Sequence, residues 1–192
     1  MRDSLIYSKT PYTQGKVKLT IPEPSLILLV GPSGCGKSTF AKKHFKPTEI
    51  VSSDHCRALV CDDESNQSAS AGAFEILNLI ASKRLHAGRL TVIDATNVQP
   101  EARKPLLALA RKYRVPPCAI VLNISEAICL KRQQARPERT VGPSVVHTQS
   151  RNLRRSLLTL GSEGFDHVYI VSTQKEVDAI KIERRPLRRT RS

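Results

Sequence analysis

Five short runs rich in apolar residues divide this chain, at 26–30, 49–53, 90–94, 118–123 and 168–171. Each is too short for a buried helix and is bounded by polar or turn-forming residues, so each predicts a buried strand. A sixth run, 16–21, alternates polar and apolar residues as a half-buried edge strand does, and Pro22 and Pro24 end it. Between the runs the pattern predicts helices over 39–45, 73–86, about 100–113, from near Ser125 into the basic stretch 131–139, and 143–160. Pro100 and Glu101 mark the start of the third, and Glu126 lies in the first turn of the fourth.

Strands alternating with helices imply an α/β fold, with a parallel five-stranded core sheet and helices on both faces. The segment 179–183 is expected to pair antiparallel with 16–21. Residues 1–15 are polar and aperiodic and read as an N-terminal arm, and residues 62–70 as a loop. The tail 184–192, with five arginines and no acid, reads as a disordered linker. Such sheets hold ligands at the carboxyl ends of their strands. The polar clusters 52–57 and 94–97 both fall there.

The 192 residues suit one domain with short extensions. The net charge of +14 points to a polyanionic partner, nucleic acid before an anionic membrane surface. Five cysteines (35, 56, 61, 118 and 129) and five histidines show no metal-ligand spacing. They fit a reducing compartment and argue against zinc. With no signal peptide and no membrane-length apolar run, the expected location is the cytoplasm.

Chemistry enters with Gly31-Pro-Ser-Gly-Cys-Gly-Lys-Ser38, a complete G-x-x-x-x-G-K-[ST] phosphate-binding loop between a predicted strand and a predicted helix. Gly31, Pro32, Ser33, Gly34, Cys35, Gly36, Lys37, Ser38 and Thr39 are therefore expected around nucleotide phosphates. Backbone N–H groups and the helix dipole converge there. Lys37 reaches the β- and γ-phosphates, and the Ser38 hydroxyl ligates magnesium.

The single α/β unit leaves little room for motor machinery, and the absence of N-K-x-D counts against a GTPase. Asp54 points to phosphoryl transfer. At the end of the strand after the loop helix, its carboxylate can face the γ-phosphate and take the proton of an acceptor hydroxyl. Alternatively, Asp54 caps a short helix at 55–60. Arg57 can bind a phosphate on the acceptor. Arg132 and Arg136 share one helix face and can stabilise phosphoryl charge, with Arg139 beside them, or they form a solvated basic helix end. Asp94 closes a core strand near Ser38. It either holds a magnesium-bound water and the loop, or is a cap or hydrogen-bond hub together with Asn97.

In this order the loop, Ser52-Ser-Asp-His-Cys-Arg57, Asp62-Asp-Glu-Ser-Asn-Gln67, Val92-Ile-Asp-Ala-Thr-Asn-Val98 and the pair Arg132 and Arg136 resemble one family. It is the 5′-polynucleotide kinase domain of the bacterial polynucleotide kinase-phosphatase, an RNA-repair enzyme related to phage end-healing kinases. The resemblance spans roughly residues 16–183, including Glu163-Gly-Phe165, and implies a P-loop NTPase fold. It implies transfer of the ATP γ-phosphate to a 5′-hydroxyl end of RNA or DNA with Mg2+. Lys37 and Ser38 would contact phosphate and metal, and Asp54 would be the general base. Arg57 would hold the 3′-phosphate of the terminal nucleotide, while Arg132 and Arg136 form a lid. Cys35 stands where Ser or Gly is expected. It changes little beyond sensitivity to oxidation, because that position acts through its N–H.

Family members carry downstream phosphatase and ligase-like modules, which do not fit after residue 171. The chain is thus either an excised kinase domain or a stand-alone kinase. Two other functions compete: a P-loop kinase of a small metabolite or nucleotide, and a non-catalytic nucleotide-dependent RNA-binding module. Charge favours the polynucleotide kinase, as do Arg151, Arg154 and Arg155 on one helix. With four Tyr, four Phe and no Trp, recognition of the end would rest on phosphate and sugar contacts.

Overall fold

Strand β2 (Leu26–Val30) is buried along its whole length. An unbroken apolar run can be a strand only where both faces of the sheet are covered. The computed structural model, which describes residues 18–135 and 141–187, supplies that cover. The order of elements is β1 (Lys18–Glu23), β2, α1 (Lys37–His44), β3 (Ile50–Ser52), α2 (Ser53–Cys61), α3 (Ser70–His86), β4 (Thr91–Asp94), α4 (Pro100–Tyr113), β5 (Pro117–Leu122), α5 (Glu126–Gln134), α6 (Pro143–Thr159), β6 (His167–Val171), α7 (Gln174–Ala179) and β7 (Lys181–Pro186). Five of the strands form a parallel sheet in the order β3-β4-β2-β5-β6. The α/β class and the five-stranded parallel core are as the apolar runs predict.

Alternate residues of β2 serve opposite faces. Leu26, Leu28 and Val30 pack in one apolar cluster with Leu77 of α3 and Leu106 of α4. Ile27 and Leu29 join another, with Phe40 of α1, Cys129 of α5 and Val177 of α7. From β2 the chain moves to one side of the sheet, to β3, while from the adjacent β5 it moves to the other, to β6. That reversal opens a crevice at the carboxyl ends of the strands.

Several boundaries differ from the pattern-based expectation. Helix α3 begins at Ser70 rather than Ala73, and the chain enters it through a 3-10 turn whose cap is Asn66. Helix α7 was not expected, although Thr173-Gln-Lys-Glu176 is a capping box: the Thr173 hydroxyl accepts from the Glu176 N–H, and Glu176 accepts from Thr173 N.

The edge pair is corrected. β1 and β7 are parallel, not antiparallel, with Lys18 opposite Lys181 and Glu23 opposite Pro186. Both strands head toward the end of the sheet where the core strands begin. Glu23 lies just before β2, and Arg184 of β7 pairs with Glu49, just before β3. Two strands bound for the same end must run the same way.

The tail is corrected too, since residues 184–186 belong to β7. Arg184 forms a two-pronged pair with Glu49, at 2.8 and 2.7 Å, and lies over the Phe45 ring. The partners of this arginine lie more than a hundred residues away, out of reach of a local reading. The expected arm at 1–15 and the tail beyond residue 187 lie outside the described residues.

Burial pushes the Glu49 carboxyl up, but Arg184 and the Lys46 N–H together pull it further down, so it titrates below its ordinary value. A carboxyl depressed in the folded state contributes stability above its unfolded-state pKa, and that stability is lost as pH falls through the folded-state pKa. Arg184→Ala is therefore expected to lower the Tm at pH 7. The gap to wild type should close as pH drops below about 4. A gap that stays constant from pH 7 to about pH 3 would show that the pair does not anchor β7.

Candidate active site

The phosphate loop opens directly from β2. Gly36 takes the left-handed backbone conformation (φ 101°) as the N-cap of α1. Gly34 does so as well (φ 82°), and a Cβ on it would collide with the Cys129 carbonyl of α5. The motif leaves position 34 free, but this fold does not, because α5 rests its backbone on the loop there.

Lys37 is buried. Its Nζ donates to the carbonyl oxygens of Gly31 and Pro32, both at 2.8 Å, and lies 3.7 Å from Cys35 Sγ. Cys35 itself is fully buried, which sets it apart from an oxidation-sensitive surface thiol. At the loop tip, Ser33 N–H donates to Gln149 Oε1 of α6 at 2.8 Å.

Across the crevice, β3 runs into α2 without a loop. Ser52 caps that helix, its hydroxyl accepting from the His55 N–H. The capping alternative for Asp54 is thereby taken by Ser52. Asp54 sits in the first helical turn instead, in an ion pair with Arg57 one turn on. Arg57 Nε also donates to the Glu64 carbonyl at 2.8 Å, and burial pulls the guanidinium below its ordinary pKa. The polar segment 62–69 thus meets Arg57 through the Glu64 carbonyl and brings Glu64, Ser65 and Gln67 to the cavity lining.

Asp94 ends β4 and is almost fully buried, with Leu29 and Ser52 beside it on the neighbouring strands. The loop that follows is held by Asn97, in the left-handed region (φ 48°), whose Nδ2 donates to the Leu29 carbonyl at 2.8 Å. Arg103 of α4 lies behind it with no solvent exposure. It donates to the Asn97 carbonyl at 2.6 Å and to Ser156 Oγ at 3.2 Å, and makes a two-pronged pair with Glu163, with Nε to Oε2 at 2.7 Å. Sequence reasoning missed Arg103. Its one local signal is an arginine among the apolar positions of a helix, a position that demands a partner.

On the remaining side, Arg132 of α5 reaches over the loop toward the carbonyls of Gly34 and Cys35, at 3.4 and 3.5 Å. Gln174 of α7 fixes it, Oε1 accepting from Nη2 at 2.6 Å. Gln174 Nε2 in turn donates to Asp178 Oδ1 at 2.6 Å. Gln149, Gln174 and Asp178 were also missed, being polar residues of no motif on helices far along the chain. Arg136 and Arg139 lie outside the described residues.

Residues 33–39, Asp54, Arg57, Asp94, Arg132, Gln149 and Gln174 line one cavity of about 910 Å³. Among its hard oxygen donors are the Ser38 hydroxyl and the Asp94 carboxylate, and it holds the buried Lys37 ammonium beside a glycine-rich cradle. That set fits a nucleotide's phosphates with magnesium and suits no softer metal. Among the described residues no group of three or more His, Cys, Asp or Glu is placed to hold a metal, and no helix is long and apolar enough to cross a membrane.

This sheet order, with the loop at the reversal, defines a P-loop kinase-like domain. The model of the AAA_33 family, an AAA domain, matches residues 26–157, and the chain belongs to that family. A curated relative, the transcription factor bHLH140 of Arabidopsis thaliana, is 26% identical over 157 residues, covering 80% of this chain. The match spans 16% of that protein's length. Among solved structures, a chain of the Pnkp1/Rnl/Hen1 RNA repair complex is similar with a TM-score of 0.61 and 21% identity, over 79% of this chain and 49% of that one. A gluconokinase from Sinorhizobium meliloti 1021 is similar with a TM-score of 0.52 and 16% identity, over 82% and 87%. Likenesses at these identities establish the shared fold.

Proposed function

We propose that this domain is an ATP-dependent polynucleotide 5′-hydroxyl kinase acting in nucleic-acid end repair. The observation that carries the proposal is the Asp54–Arg57 pair, which shares one cavity with the phosphate loop: a proton acceptor beside a phosphate binder. The charge of +14 and the exposed Arg151, Arg154 and Arg155 of α6 support a polyanionic acceptor. In this reading Asp54 orients the 5′-hydroxyl and takes its proton as the P–O bond forms. Arg57 holds the acceptor's adjoining phosphate. Lys37, Arg132 and, beyond the described residues, Arg136 meet the charge that spreads over the transferring group. Ser38 and Asp94 would hold magnesium, which when bound neutralises charge between the β- and γ-phosphates. Downstream phosphatase and ligase-like modules of a longer repair protein are the partners this reading implies.

A kinase of a small metabolite is the second reading, favoured by the fold shared with the gluconokinase. Salt separates the two. A polynucleotide acceptor contacted at several phosphates should lose affinity with a log–log slope of about 0.7 per contact for a single strand, whereas a compact acceptor shows almost none. The test is transfer of labelled γ-phosphate from ATP to 5′-hydroxyl oligonucleotides of increasing length at 50 and 200 mM salt. Label on the oligonucleotide with a steep salt slope is expected. Nucleotide binding with no labelling of any RNA or DNA would overturn the proposal.

The Arg132–Gln174–Asp178 chain yields a further expectation. Gln174→Leu frees the guanidinium and should raise the KM for ATP by about 12- to 160-fold, the worth of one hydrogen bond to a charged group. Thermal stability should stay near wild type. An unchanged KM would exclude Gln174 as the residue that positions Arg132.

A further inference from the structure

The large cavity continues past Asp54 and Arg57, along Gln67 and Ser70, to the ring of Phe74 on α3. Phe74 also lines a second hollow, of about 230 Å³, between α3 and α4. Its other walls are Asn78, Glu101, Ala102, Pro105 and Leu106. The amino ends of both helices face the carboxyl ends of the core strands, since α2 leads into α3 from β3 and α4 follows β4. The hollow is therefore beside the acceptor half of the site rather than the loop half.

Its chemistry is lopsided. The walls are apolar on Phe74, Ala102, Pro105 and Leu106, and one polar atom of the lining has no partner. Asn78 Oδ1 is buried with no hydrogen-bond partner among the described residues. Pro105 stands inside α4 and has no N–H, so the carbonyl four residues back, that of Glu101, receives no helical hydrogen bond from it. Glu101 is exposed and brings a carboxylate to the rim. A buried acceptor without a donor is costly, so such a site is complete only with a ligand that donates. A largely apolar hollow lined by an aromatic residue, with the Asn78 amide oxygen in its wall and the Glu101 carboxylate at its rim, suits a heterocycle carrying an amino group.

We propose that the hollow between α3 and α4 is a nucleobase subsite of the acceptor strand, taking an amino-bearing base near the 5′ end against Phe74, with Asn78 and Glu101 as its hydrogen-bond acceptors. The inference rests on the polynucleotide kinase reading and extends it from phosphate contacts to selection of the base. Uracil and thymine carry a carbonyl where cytosine carries the amino group, so in the same pose they would set acceptor against acceptor.

The test uses the whole chain and 5′-hydroxyl oligoribonucleotides that are identical except at one of the first three positions. That position carries adenine, purine lacking the 6-amino group, or uracil. At one position, adenine is expected to exceed amino-less purine in kcat/KM by about 2- to 12-fold, the worth of one hydrogen bond. Asn78→Ala should bring that ratio to unity, and Phe74→Leu should lower use of all bases there roughly tenfold through lost stacking. Because the readout is a ratio between two acceptors on one protein, a merely destabilised variant leaves it unchanged. Equal use of all three bases at all three positions overturns the inference while the kinase reading stands. So does a preference that survives in Asn78→Ala. Failure to label any oligonucleotide overturns the kinase reading and, with it, the subsite.

Discussion

Asp54→Asn is expected to lower kcat for transfer to a 5′-hydroxyl by about 10²- to 10⁴-fold, the usual contribution of a general base. In barrier terms that is about 2.7–5.4 kcal/mol. The amide keeps the shape and can still accept from Arg57, but it cannot take the hydroxyl proton. Affinity for ATP should be unchanged, because Lys37, Ser33 and Arg132 contact the loop independently of α2. Asp54→Ala adds a second defect, since Arg57 loses its ion-pair partner while keeping the Glu64 carbonyl. Its KM for the acceptor should therefore rise as well. Single-turnover transfer with pre-bound ATP checks both variants. A loss of less than about tenfold in Asp54→Asn would remove Asp54 as the base.

The largest effect on stability is expected from Arg103→Ala, a loss of about 3–5 kcal/mol. Arg103 is wholly enclosed, and four of its hydrogen bonds go to Asn97, Ser156 and Glu163. Truncation leaves the Glu163 carboxylate without its counter-charge, the Asn97 carbonyl without a donor, and a void where the side chain stood. Urea unfolding should show a lower midpoint at unchanged m-value. Replacing the pair together, Arg103→Met with Glu163→Leu, should recover part of the loss, since burying two charges is itself costly. The Asn97 turn would still lack its anchor in the double variant, so the Asp94 loop should stay loosened and activity should not recover with stability. A single-variant loss under about 1 kcal/mol would mean that Arg103 is not the tie between α4 and this loop.

Both predictions concern residues that α2 and α4 bring to the ends of β3 and β4, and only one of them was visible in the chain. Asp54 stands in a cluster directly after a strand, so its place at the carboxyl edge followed from local pattern. Whether it caps a helix was open until Ser52 was seen to do so. Arg103 gave no functional signal, because its role depends on Glu163 and Ser156, sixty and fifty-three residues away. Gln149 and Gln174 were invisible for the same reason, being ordinary glutamines until folding sets them on the loop tip and on Arg132.

From its residues alone this chain determined the five core strands, the helices between them and the phosphate loop. Apolar runs, helical periodicity and glycine-rich turns are properties of neighbours in sequence. The tertiary structure decided the direction of β7 against β1, the enrolment of Arg184 in the fold, the glycine demanded at position 34, and the buried arginine behind Asp94. Each of these is settled by contact between segments far apart in the chain, where close packing and the need to pair every buried charge act only once the sheet has formed.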